Sequence, residues 1–517
     1  MTKEWVIPDQ NQSDFASKML KGRELETESG YTQLSDLPEE SLFANIDVVT
    51  DRIHQAMYNN EPLVIFGHDD PDGVTSTYIL YRFLNSCGYQ KHHYYIPNRQ
   101  IEPHGIQKGF IEHVKQNGYK LVITVDNGIS SYEGVEELKA MGCDVIIVDH
   151  HLIQLDTLPQ AFAILNPQLS TCQYPFKALA GVGVVMMLIR YLGKYLEHPI
   201  DPSYYFWTAV GSLADKVPLV GVNRTLLRHA MESLSSFKDN TIDFLMRNHP
   251  RINSKMDAFN FISYTAKLIA NGREADGQHT AIRFMLQLSD DKVMLFEDLE
   301  RQKQAWEGDL NRVFRYVDTL TQDFQGTSFI FYDDDDLIPY SLLGTAASYV
   351  VNQFCIPAIL LKMHNGKIVC EGRCCDGFNI VNAFSACKEF LIQYGGHPKA
   401  AGFIMIPENY DAFIECYNDY LSTTWSKDSL HRVIVADLSM NLEDLSYSNW
   451  EQYESLLPFG QKNPEPLIHI RKTTHRDIVN HFNLDTSINS LPRDKEIELL
   501  IHWKSPNTLK VVDFREV

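Results

Sequence analysis

Four acidic or imidazole side chains, His68, Asp69, Asp70 and Asp72, fall within five positions of the stretch VIFGHDDPDGVTSTY, residues 64–78. An apolar run precedes them and a glycine follows Asp72. Burying these groups together is costly unless positive charge sits among them. Asp126 ends a second apolar run, KLVITVD (120–126). Asp149, His150 and His151 end a third, CDVIIVDHH (143–151), and Asp215 lies in GSLADKVPL (211–219). Mixed carboxylate and imidazole donors suit Mn²⁺ or Mg²⁺ better than a thiolate-bound metal. Six candidate ligands exceed what one ion needs. Two ions sharing a carboxylate would use them, and such pairs, about 3.5–4 Å apart, catalyse in-line attack on phosphorus. Each cluster also has a plain structural reading, because an Asp after a strand is a common helix N-cap. Convergence of the clusters is what points to a metal.

That convergence depends on the elements carrying them. Short apolar runs at 62–68, 92–97, 120–126, 143–149 and 161–167 read as strands. Between them, GVTSTYILYRFLNSCG and YEGVEELKAMG have helical spacing and a closing glycine. Strand–helix alternation with wholly apolar strands predicts an α/β fold around a parallel sheet covered on both faces. Ligands of such sheets bind outside the carboxyl ends of the strands. The acidic clusters follow those ends.

At 517 residues the chain is too long for one core. Residues 1–40 read as an N-terminal arm with little regular structure, 41–235 as the site-bearing α/β domain and 236–325 as a helical connector. A second α/β pattern fills 326–425, and a small β domain 430–517. The run DDDD at 333–336 reads as a solvated turn. A net charge of −21 argues against broad adhesion to nucleic acid but allows a local basic channel beside an acidic metal site. No stretch of eighteen apolar residues suggests a membrane span. The segment MTKEWVIPDQNQSDF lacks the apolar core of a signal peptide. Nine cysteines lie without metal-ligand spacing, and a reducing cytoplasm is the expectation.

HDDPDG, VDNG, VDHH and GSLADKVPL, in this order, resemble the motifs of the DHH phosphoesterase superfamily. YIPNRQIEPHG (95–105), CQYPFKALAGVGV (172–184), IANGR (269–273), YGGHPKAAG (394–402) and PFGQKNPEP (458–466) extend the resemblance to its RecJ-type, single-strand-specific exonucleases. It implies a multidomain fold: a DHH domain, a helical linker, a DHH-associated domain and a C-terminal OB-like β domain. It implies 5′-to-3′ hydrolysis of single-stranded DNA in repair or recombination, and a single-strand-binding or other repair protein as partner. RNA or short oligonucleotides as substrate, or a silent scaffold in a replication assembly, are the other readings.

The resemblance also implies roles. His68, Asp70, Asp72, Asp126, His150 and Asp215 would hold two Mn²⁺ or Mg²⁺ ions, with Asp126 as the bridge. Asp149 would orient His150, since a ligating imidazole usually donates its other N–H to a carboxylate. His151 would lie near the scissile phosphate. Arg99, Arg273 and Arg373 would grip the DNA 5′ end and backbone. Gly395, Gly396 and His397 read as a loop approaching substrate phosphate, against the plainer reading of a tight turn with a buried His. His68 stands where the bacterial family has Asp. Glu371, Cys374 and Ile269 depart from family Ser, Ser and Asn, which bears on terminal-phosphate recognition and not on the metals. Trp503 and His502 are candidates to stack on bases, with a core position as the alternative for Trp503.

Overall fold

The computed structural model describes residues 3–8, 31–98, 102–153, 157–275, 277–286, 291–426, 432–485 and 491–517. The chain divides into two compact units, one of residues 1–7 and 304–436 and a larger one of 8–303 and 437–517.

The first strand, β1 (Lys3–Val6), belongs to the smaller unit. The expected irregular arm therefore contains a strand, which pairs in parallel with a segment more than 400 residues away, Arg432–Val435. No local pattern announces such a partner.

The larger unit is built on β2 (Leu63–Phe66), β3 (His92–Tyr95), β4 (Leu121–Val125), β5 (Asp144–Val148) and β6 (Ala163–Leu165). All pair in parallel, in the order β3-β2-β4-β5-β6. β2 and β4 are buried along their whole length. This is why they read as unbroken apolar runs and not as alternation. From β2 the chain crosses first to β3 on one side, then to β4 on the other. The gap between the carboxyl ends of β2 and β4 is thus a topological switch point, where open α/β sheets place their ligands. Helices Gly181–Tyr195, Tyr204–Ala214 and Gly221–Ser233 follow the sheet, and Asn240–Arg247, Lys255–Ile269 and Thr280–Leu286 follow them.

The smaller unit holds β7 (Phe329–Tyr332), β8 (Ala358–His364), β9 (Lys367–Arg373), β10 (Gln393–His397) and β11 (Ala400–Met405), ordered β10-β11-β9-β8-β7. β12 (Arg432–Val435) is the partner of β1. Within the DDDD run, Asp333 is buried and accepts hydrogen bonds from the Leu337 and Ile338 amides, while the other three are exposed. The run is a capped turn and not a fully solvated one. Cys387 and Cys416, 29 positions apart in sequence, form a disulfide with their Cα atoms 5.9 Å apart. The fold thus joins two cysteines whose sequence spacing carries no signal.

In the larger unit, β13 (Leu438–Met440), β14 (Ile468–Thr474), β15 (Asn483–Asp485), β16 (Glu496–Ser505) and β17 (Thr508–Glu516) form a mixed sheet, ordered β13-β14-β16-β17-β15. Trp503 is fully buried there, against Trp450 and Tyr453, so it serves the core and cannot stack on a base. No described helix is long and apolar enough to cross a membrane.

Candidate metal centre

After β2 the chain turns through Gly67 into the helix Pro71–Ser86. Asp70 is the N-cap of that helix, accepting from the Gly73 amide at 3.0 Å, and Pro71 takes the first-turn position that needs no N–H. The N-cap reading is therefore correct, and the same carboxylate lies 3.0 Å from His68 Nδ1. Asp72 is buried on the N-terminus of another helix: its two oxygens accept from the Gly181 and Val182 amides, both at 2.7 Å. Oriented amides at a helix start favour a buried carboxylate there.

Asp126 follows β4 in the left-handed backbone region, φ 59°, and is buried. Gly181 lies so close that a Cβ on it would sit 2.6 Å from Asp126 Cβ. Asp215 ends the helix Tyr204–Ala214. These groups meet at His150, whose buried Nε2 makes no hydrogen bond among the described residues but lies 3.2 Å from Asp126, 3.7 Å from Asp215 and 3.8 Å from Asp72.

Among the described residues three sets of ligating atoms result, each with its atoms within 4.8 Å of one another: His68, Asp70 and Asp126; Asp72, His150 and Asp215; and Asp126, His150 and His151. Asp126 and His150 each belong to two of them. The six sequence-derived ligands thus come together, and His151 joins them. Asp149 behaves differently from expectation. Its carboxylate meets the His151 ring Nδ1 at 2.7 Å and takes only the backbone N–H of His150, at 2.7 Å. The backbone amides of His151, at 3.1 Å, and Ile129, at 3.0 Å, complete its bonds.

The electrostatics fit a cation. Burial, then the charge of Asp70, pushes Asp72 up to about 7. Burial, then the charge of Asp72, pushes Asp215 to about 7 and Asp126 well above the carboxylate range. Burial most strongly opposes ionisation of Asp70, but the contact and charge of His68, with the Gly73 amide and Asp126, together outweigh it and hold the group low. Burial lowers His150, whereas the bond to Asp149 raises His151 to about 9. Carboxylates this crowded resist ionising together. The orphaned Nε2 among them is what a metal ligand looks like without its metal, and the oxygen-and-nitrogen donor set fits Mn²⁺ or Mg²⁺.

Residues 62–211 match the DHH family, N-terminal domain. The single-stranded-DNA-specific exonuclease RecJ of Bacillus subtilis is 29% identical over 433 residues, 83% of this chain and 54% of that protein. RecJ of Escherichia coli is 26% identical, over 83% of this chain and 78% of that one. The chain thus spans about half of the first relative and over three quarters of the second. A manganese-bound exonuclease RecJ structure aligns with 74% of the chain and 95% of its own length at TM-score 0.61 and 25% identity. RecJ of Thermus thermophilus in complex with Mn²⁺ aligns with 100% of the chain and 80% of its own length at TM-score 0.75 and 20% identity, sharing the fold. Residues 62–211 thus match a DHH domain, and the chain as a whole is similar to RecJ exonucleases.

The remaining motif residues of this RecJ-like chain fall in both units. Arg99 lies outside the described residues. Arg273 is held by Asp69, Nε to Oδ2 at 2.6 Å. Arg373, on β9, donates to Glu371 at 2.9 Å, two positions earlier on the same strand. Gly395, Gly396 and His397 are not in a loop. They form the exposed edge strand β10, which turns at Pro398-Lys399 and pairs with β11. His397 is exposed, which removes the buried-His reading. Gly396, at φ 139°, has no room for a Cβ beside Ala400 O and Ala401.

Sequence reasoning missed two supports of the centre. Gly181 seats Asp72 and makes room for Asp126; the signal was the glycine in ALAGVGV opening an apolar helix. PFGQKNPEP braces the loop after Asp215: the Leu219 amide donates to Gln461 O at 2.8 Å, and buried Asn463 ties its own turn through Leu456 O and Pro458 O.

Proposed function

We propose that this protein is a two-metal exonuclease that hydrolyses single-stranded DNA from the 5′ end. The observation that carries it is the overlap of the ligand sets on Asp126 and His150 at the switch point of the sheet. His68, Asp70 and Asp126 would hold one divalent cation, and Asp72, His150 and Asp215 the other. Asp126 lies between them. When bound, such cations supply an activated water and neutralise charge on the phosphate.

The chain's own residues do the rest. The Gly181 and Val182 amides fix Asp72. Asp149 fixes His151 through Nδ1, so that its other ring nitrogen would donate to the scissile phosphate. Arg99, Arg273, Arg373 and the β10 residues Gly395, Gly396 and His397 are the proposed DNA contacts, since guanidinium forks match phosphate geometry. The complete ligand set weighs against a silent scaffold. Cytoplasmic location, a role in repair or recombination and a single-strand-binding protein as partner belong to the same proposal. So does the domain division at 41–235, 236–325, 326–425 and 430–517.

A digestion panel tests it: DNA and RNA, single- and double-stranded, labelled at either end, with Mn²⁺, Mg²⁺ or chelator. Mononucleotides released from the 5′ end of single-stranded DNA, in the presence of either metal only, are expected. Metal-independent cleavage, equal attack on blunt duplex, or release from the 3′ end would count against it.

A further inference from the structure

Asp69 stands between two members of the metal centre, His68 and Asp70, yet belongs to none of the ligating sets. Its side chain is 4% exposed, and its carboxylate takes Arg273 Nε at 2.6 Å. Arg273 comes from the segment linking the helices Lys255–Ile269 and Thr280–Leu286. That segment is fixed along the ends of the core strands. Gly277 O accepts from the Ile96 amide at 2.9 Å, just past β3, and Tyr94 on β3 donates to Gln278 at 2.9 Å. Arg273 itself pairs across a short bridge with His279, which is fully buried. Gly272, at φ 107°, makes the turn before it, where a Cβ would crowd Leu299 and Thr280.

The guanidinium is therefore anchored on two sides. Nε is on Asp69, and Nη1 donates to Ala270 O at 3.3 Å. Nη2 has no partner among the described residues, and the side chain is 26% exposed. A long cationic side chain near several buried carboxylates has many places to go. Ordering it costs rotamer entropy, and a fixed buried partner meets that cost before the substrate arrives. A carboxylate partner also offsets part of the cation's charge, so its use here is geometric and not a gain in attraction.

We propose that Asp69 is a positioning residue that holds Arg273 with Nη2 free for a phosphate of the single strand, one residue from two metal ligands. The inference rests on the exonuclease reading, which supplies the phosphate.

A double-mutant cycle tests it on wild type, Asp69→Ala, Arg273→Ala and the double variant. The dissociation constant for a fluorescein-labelled, 5′-phosphorylated oligothymidylate is measured by anisotropy, with Ca²⁺ replacing Mn²⁺, over a salt series. KM, kcat and the half-saturating Mn²⁺ concentration are measured alongside. Each single variant should weaken binding about tenfold, the scale of one charge-assisted contact, and the double should be no weaker than Arg273→Ala. The slope of log Kd against log salt should fall by about 0.7 in all three, one phosphate contact on a single strand. The Mn²⁺ requirement should not move. Equal loss from Asp69→Ala in both backgrounds, an unchanged salt slope, or a shifted Mn²⁺ requirement with KM unmoved would make Asp69 a prop of the metal loop and overturn the proposal. If Asp69→Ala fails to fold, Asp69→Asn gives the same readouts. A wild type that binds the strand but hydrolyses nothing with Mn²⁺ overturns the exonuclease reading and leaves the cycle readable. A wild type that binds no strand overturns both.

Discussion

Asp126 is where two ligand sets meet, so its loss damages both. Asp126→Ala should abolish hydrolysis at saturating Mn²⁺ while leaving single-strand affinity largely intact, because most affinity comes from phosphate contacts elsewhere. Calorimetry should show at least one ion lost; a variant that keeps more than a small fraction of the wild-type rate would disprove a shared ligand. Glu371 raises a different question. The resemblance would put a serine at its position, and it occupies Arg373 at 2.9 Å instead of turning to solvent. A carboxylate only accepts hydrogen bonds, so it competes with a terminal phosphate for that guanidinium. Wild type should show little preference for 5′-phosphate over 5′-hydroxyl ends. Glu371→Ser should shift the ratio toward phosphate by about tenfold, or about 1.4 kcal/mol. Competition between the two labelled ends decides it, and an unchanged ratio would place the pair outside substrate recognition.

At the scale of elements, the centre depends on helix starts as much as on strand ends. Gly181 opens the helix that seats Asp72, and its missing side chain leaves space for Asp126. Gly181→Ala should cut the rate at least tenfold and raise the Mn²⁺ requirement, because the new methyl displaces the shared carboxylate; overpacking of this kind costs about 1–3 kcal/mol. Gly183→Ala, two positions on, meets only the Leu179 side chain at 3.2 Å and should be nearly silent. Equal kinetics for the two variants would remove Gly181 from the centre. The sequence made the core strands legible because burial on both faces writes itself as unbroken apolar runs. It made the ligands legible because they follow those runs. What it hid depends on tertiary placement. Asp149 could reach either following histidine, and backbone geometry chose His151. YGGHPKAAG reads as a loop by composition, yet its edge position lets two glycines sit in a strand. The pairing of β1 with β12 and the Cys387–Cys416 bridge join distant segments, and local pattern cannot encode distance.

For the molecule as a whole, the metal centre is a store of unfavourable charge in a chain already at −21. Without cations, burial and mutual repulsion hold Asp72 and Asp215 at about 7 and Asp126 higher, whereas in the unfolded chain each is an ordinary carboxylate near 3.9. A carboxylate raised by folding binds its proton more tightly in the native state. Its contribution to stability is present at low pH and is lost as pH climbs from about 4 through about 7, since the unfolded form ionises first. The metal-free protein should therefore lose stability on account of these groups as it approaches neutrality. Cations bind the ionised forms and must displace protons below pH 7, at a cost of about tenfold in affinity per displaced proton per pH unit. Bound metal should thus stabilise most where the proton has already left. The rise in Tm on adding Mn²⁺ to chelator-treated protein should be larger at pH 8 than at pH 6, and Asp126→Asn should shrink it at both. Differential scanning fluorimetry at fixed free Mn²⁺ measures this. A rise independent of pH would mean that the bound cation does not displace protons from these carboxylates, and that the crowding of Asp72, Asp126 and Asp215 is met in another way.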